Sequence, residues 1–152
     1  MLSNLLEIVE EEGIHLEWWD FVEPISAIYV EIGDCKVIGL KNDIDRSSRK
    51  LKCTLAEELG HYFTGTTYND KKPENYGEKI EVARREYRAR KWQVFLLIPE
   101  EKFLEALNNG ISQIWELAEY FDVDEEVIRF YLNLPKVKER LEKIFEKEEQ
   151  FF

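Results

Sequence analysis

The sequence predicts an α+β fold, a small antiparallel sheet packed against a mainly helical body, and three observations carry that prediction. Between Ile14 and Leu40 the apolar residues fall in short alternating or β-branched runs, the period of strands. Before and after that region they recur at intervals of three and four, the period of helices. Gly13, Gly33, Gly65, Pro99, Gly110 and Pro135 lie between the periodic stretches, where chain breaks belong.

In chain order, Leu2 to Glu12 reads as an amphipathic helix with Leu2, Leu5, Leu6 and Val9 on one side and Gly13 at its end. Ile14, Leu16 and Trp18 then alternate, Ile25 to Ile32 is rich in β-branched residues, and Cys35 to Leu40 is a further apolar run. Gly33-Asp34 between the last two is a two-residue hairpin signal. Asp43-Ile-Asp-Arg-Ser-Ser offers N-caps for a helix from about Asp45 to Thr64, with Leu55, Leu59 and Tyr62 as its apolar side. The stretch from Thr66 to Gly77, with Asn69-Asp70 and Pro73, is polar and reads as a loop.

A long helix from about Glu78 to Ile98 follows. Val82, Glu86, Ala89, Gln93, Leu96 and Leu97 step along it as a core-facing stripe, and Glu86 is the anomaly in that stripe. A carboxylate there needs a partner, either Arg85 or Arg90 or a metal ion. Pro99 to Asn108 is the next helix. Ile111 to Phe121 and Glu125 to Leu132, joined by Asp-Val-Asp, have the rhythm of a helix-turn-helix. Pro135 to Gln150 closes the chain as a charged helix whose Val137, Leu141 and Ile144 stripe docks on the body or on another copy.

The chemistry concentrates in Leu51 to Gly65. Glu57 and His61 leave one helical face a turn apart, with Glu58 one step round. This is the arrangement of the H-E-x-x-H helix, with Glu in place of the first His. Thr54-Leu-Ala-Glu-Glu-Leu-Gly-His-Tyr-Phe-Thr64 resembles the active-site helix of the ImmA/IrrE family of metallopeptidases. Arg85-Glu-Tyr-Arg-Ala-Arg-Lys-Trp-Gln-Val-Phe-Leu-Leu-Ile-Pro99 is similar to that family's second signature. The resemblance implies a zincin-like core over 1–98 with a helical extension over 99–152. It places the general base on Glu58 and the ligands of one divalent metal on Glu57, His61 and Glu86. Zinc is the ion it implies. Two carboxylates and one imidazole would bring the centre, ion included, to zero net charge, which weakens its polarising power and shifts preference toward manganese and other oxygen-preferring ions. The implied substrate is a helix-turn-helix repressor, often of a phage or mobile element. The alternative is a regulatory protein-binding module that keeps the fold and groove without hydrolysis.

Bulk properties narrow the classes further. The chain has 152 residues, 44% hydrophobic and 35% charged, the balance of one soluble domain with its own core. Its longest apolar run, Val94 to Ile98, is far below the ~20 residues of a membrane span. Met-Leu-Ser-Asn-Leu-Leu-Glu lacks the basic start of a signal peptide, so a cytoplasmic protein is expected. Cys35 and Cys53 show no metal spacing and read as small buried hydrophobes. A net charge of −11 opposes a nucleic-acid partner, and the region 112–132 carries one base-reading side chain, Arg129, at the front of its second helix. That helix pair is therefore read as packing, and the basic runs 47–52 and 84–91 as solvated faces. A DNA-binding regulator is the third and least supported class. Oligomeric state is left open.

Overall fold

The computed structural model describes residues 2–46, 49–67 and 72–149. Its elements run α1 (Leu2–Glu11), β1 (His15–Trp19), β2 (Ala27–Ile32), β3 (Cys35–Lys41), α2 (Arg49–Thr64), α3 (Tyr76–Leu97), α4 (Glu100–Asn108), α5 (Ile114–Phe121), α6 (Glu125–Asn133) and α7 (Pro135–Glu149). The α+β class holds. The sheet has three strands in the order β1-β3-β2 and is mixed, not antiparallel throughout. β2 and β3 form the expected hairpin, with Ile32 opposite Cys35 across Gly33-Asp34, and Gly33 takes a φ of 61° at the first turn position. β1 instead joins the other edge of β3 in parallel, His15 opposite Val37 and Trp19 opposite Lys41. The chain from Asp20 to Ser26 crosses to the far side of β3, so β2 is left at an edge.

Two expected boundaries move. Residues 43–46 form a turn, and α2 begins at Arg49; the cap candidates Ser47 and Ser48 lie outside the described residues, as do Asn69-Asp70 of the expected loop and Gln150. Asn75 starts α3 by accepting the Glu78 N–H at 2.9 Å, a cap that the polar stretch before it concealed.

α2 is the axis of the molecule. From Leu51 to Gly60 every residue except Glu57 is buried, because β2 covers one flank, α3 another, and the α5–α6 turn its N-terminal half. Leu55, Ala56 and Leu59 meet Leu5, Tyr29, Ile38, Leu40, Val94 and Leu97 in the shared core. Lys52, only 4% exposed, survives that burial by donating to the Phe121 carbonyl at 3.0 Å and facing the Asp122 carboxylate at 3.5 Å. Arg49 donates to the Val123 carbonyl at 3.2 Å and pairs with Glu119 and Asp122. Both cations thus sit at the C-terminal end of α5, where helix carbonyls favour positive charge.

The helix-turn-helix-like pair is in this way tied to α2 through its turn. Arg129 is engaged with Glu125 at 2.8 Å. Cys53 is buried as expected, but Cys35 is exposed at the hairpin; both are free thiols. Among the described residues no helix is long and apolar enough to cross a membrane.

Candidate functional site

α2 and α3 approach each other more closely than ordinary side chains allow. A Cβ on Gly60 would lie 2.3 Å from the Ala89 carbonyl oxygen, so a glycine is required where the helices touch. His61 follows that glycine, and Glu86 lies about one turn before Ala89 on the opposing helix. The close approach therefore brings His61 Nε2 to 3.5 Å from the Glu86 carboxylate. Glu57, one turn back on α2, completes the group: one ligand atom from each of Glu57, His61 and Glu86 lies within 4.8 Å of the other two.

The stripe expected to place Glu86 in the core divides into two parts. Ala89, Gln93 and Leu97 are buried, Gln93 donating to the Cys53 carbonyl at 2.7 Å, whereas Val82 is 43% exposed and the Glu86 side chain half-exposed. The N-terminal members face a groove instead of the core. Glu86 reaches His61, not Arg85 or Arg90, in the ion pairs of the described residues.

A cavity of about 450 Å³ opens over the group. One wall is α2, with Lys50, Thr54, Glu57, Glu58 and His61; the other walls are residues 24–29 and the start of α3. Glu58 is 7% exposed, and its carboxylate accepts the Tyr29 backbone N–H. Ser26 accepts from Lys41 N–H at 2.8 Å, so alternation along an antiparallel pair turns the N–H and C=O of Ala27 and Tyr29 away from β3. They point out from the outer edge of β2, which pairs with no further strand among the described residues. Thr66, just past the helix end, holds His61 Nδ1 at 2.8 Å through its hydroxyl.

Electrostatics mark the cluster as strained toward a cation. Burial pushes Glu58 up to about 8, and His61 only partly offsets it. Burial also raises Glu57, against the pull of Arg90 and His61. Burial works to lower His61, but hydrogen bonding to Glu86 and the field of Glu58, Glu86 and Glu57 outweigh it, leaving the imidazole above its ordinary value. His61 in turn holds Glu86 below the usual carboxylate range. Three carboxylates crowd one imidazole, with Arg90 near Glu57 and Glu86 but in no ion pair among the described residues, and a divalent ion fits the remaining deficit. The donor set, one nitrogen and two carboxylate oxygens with the imidazole held from behind by Thr66, is one that could hold a divalent ion.

The four residues singled out in the sequence come together. Thr66, the Tyr29 N–H and the outer edge of β2 were missed. A threonine five residues past the candidate ligand histidine and next to a helix-ending glycine was a usable signal; a backbone group leaves none.

Helix-borne carboxylates and an imidazole beside a strand edge and a groove are the arrangement expected of a metallopeptidase-type protein. The model of the IrrE N-terminal-like domain, a peptidase family, matches residues 13–133, and the chain belongs to that family. Comparison with curated proteins and with solved structures gave no match.

Proposed function

We propose that the protein is a metal-dependent endopeptidase of the ImmA/IrrE type. In this reading Glu57, His61 and Glu86 hold one divalent ion, zinc or an oxygen-preferring ion such as manganese, and Glu58 is the general base. The observation that carries it is the convergence of the three ligand atoms on two facing helices, with a desolvated carboxylate beside them. When bound, the ion supplies polarisation of the scissile carbonyl and acidification of the attacking water.

The chain's own groups do the rest. A substrate backbone pairs with the outward N–H and C=O of Ala27 on β2, a strand addition that lays the scissile bond across α2. Glu58 takes the proton of the attacking water on its carboxylate and delivers it to the leaving amine nitrogen. A carboxylate whose proton affinity lies near neutrality suits both transfers. Thr66 Oγ1 accepts from His61 Nδ1–H and thereby leaves Nε2 free as a ligand. The substrate we propose is a helix-turn-helix repressor in the cytoplasm, of phage or mobile-element type.

The test is incubation of the protein with such a repressor and zinc or manganese, read by gel and mass spectrometry. Glu58→Gln should lower cleavage at least ~10²-fold while retaining metal. Cleavage that persists in metal-loaded Glu58→Gln would remove Glu58 from its role. A parent that fails to cleave with either metal yet binds the repressor tightly would establish the non-hydrolytic binding module instead.

A further inference from the structure

Behind the ligand group lies a second opening, lined by Glu57 and Glu86 from the site, Arg90 and Gln93 from α3, and Asp124 and Glu126 from the start of α6. Arg90 is one turn past Glu86, on the side of α3 that faces Glu57. Its guanidinium carbon stands 4.6 Å from the centroid of the Phe130 ring on α6. No salt bridge engages Arg90 among the described residues. The cation is laid on an aromatic face, near both carboxylates and bonded to neither, so it occupies none of their oxygens.

Charge accounting gives this placement a purpose. Two imidazoles, one carboxylate and a divalent ion sum to one positive charge, whereas Glu57, Glu86, neutral His61 and the same ion sum to zero. A fixed guanidinium beside Glu57 restores the missing charge. Arginine suits the task because it stays protonated when desolvated and stacks flat on an aromatic ring.

We propose that Arg90 is a positioning residue, the fixed counter-cation of the Glu57 carboxylate, held off the ligand oxygens by Phe130. The role of Glu57 as a ligand rests on the metallopeptidase reading; the pairing of the two charges does not. The proposal also gives α6 a function at the site, as the platform for that cation. Asp124 and Glu126 are the rival partners in the same opening, with Lys50 the other cation on its rim.

The experiment is a double-mutant cycle of Arg90→Gln and Glu57→Gln, with Arg90→Lys as the charge-keeping variant. Thermal unfolding is followed in chelator at pH 8, and zinc and manganese affinities by competition with a chromophoric chelator. In the metal-free protein Arg90→Gln should lower the midpoint, and most of that loss should vanish in the Glu57→Gln background. With metal, loss of the neighbouring cation should tighten divalent binding by roughly tenfold, while Arg90→Lys stays within about threefold of the parent. Additive effects at the two positions would overturn the pairing and assign Arg90 to Asp124 or Glu126. Equal behaviour of Arg90→Lys and Arg90→Gln in both measurements would reduce Arg90 to packing on Phe130. Coupling without any metal binding by the parent would keep the pairing and sink the metallopeptidase reading; metal binding without coupling would do the reverse.

Discussion

The two halves of α2 bury charge in opposite ways. At its N-terminal end Lys52 and Arg49 are matched by the carbonyls of Phe121 and Val123 and the carboxylates of Asp122 and Glu119. One turn further on, Glu57, Glu58 and Glu86 face a single imidazole, with the Arg90 guanidinium near but ion-paired to none of them. The first arrangement is complete without a ligand and reads as structure. The second is short of positive charge and reads as a site. Burial of a charged group is therefore uninformative until its partners are counted.

The largest effect that could break this contrast is one of sign. Lys52→Met leaves the Phe121 carbonyl without its charged donor in a buried place and should cost about 2–3 kcal/mol of stability. Glu58→Gln should instead stabilise the metal-free protein at pH 8, because the folded state no longer carries a desolvated anion. Denaturant melts in chelator measure both, and two changes of the same sign would erase the distinction.

The pH dependence sharpens it. Glu58 and Glu57 bind protons more tightly folded than unfolded, so folding takes up protons between the ordinary carboxylate value and, for Glu58, about 8. Metal-free stability should consequently fall as pH rises from about 5 to 8, by roughly 3 kcal/mol from Glu58. His61 adds in the same direction, its contribution being present at acid pH and lost as pH rises through its elevated folded value. Glu86 acts oppositely, but below the usual carboxylate value and so outside that window. The slope should flatten in Glu58→Gln and persist in Lys52→Met; an unchanged slope in Glu58→Gln would exclude that carboxylate as its source.

The smallest effect lies in the support of the imidazole. Thr66→Val removes the hydroxyl at Nδ1 and should weaken zinc binding by about tenfold, with little change in the metal-free melt. Isothermal titration reads it, and an unchanged affinity would mean that the ring is oriented by other contacts.

Much of this was legible in the chain, for identifiable reasons. Side-chain spacing on α2 put Glu57, Glu58 and His61 together. Gly33-Asp34 marked the hairpin because its turn geometry is local. The parallel entry of β1 was hidden, since strand direction depends on where the connection from Asp20 to Ser26 crosses, not on the strand's own pattern. Val82 and Glu86 shared the period of buried residues yet face the groove, because periodicity defines a face without saying what fills it. Lys52 read as surface for want of any local sign of the α5 end that receives it.

The contact of Gly60 with the Ala89 backbone bears on which ion the proposed site would select. It sets the gap across which His61 and Glu86 face each other, so a missing side chain does the work of a gauge. Zinc ligation at ~2.0–2.2 Å and calcium ligation at ~2.3–2.6 Å differ by a few tenths of an ångström per bond. A single methyl inserted at Gly60 forces a displacement of at least that order. In the metal centre proposed above, ionic radius would then be discriminated by two residues that touch no ion, and drift toward larger ions would begin with a substitution at the helix contact rather than among the proposed ligands.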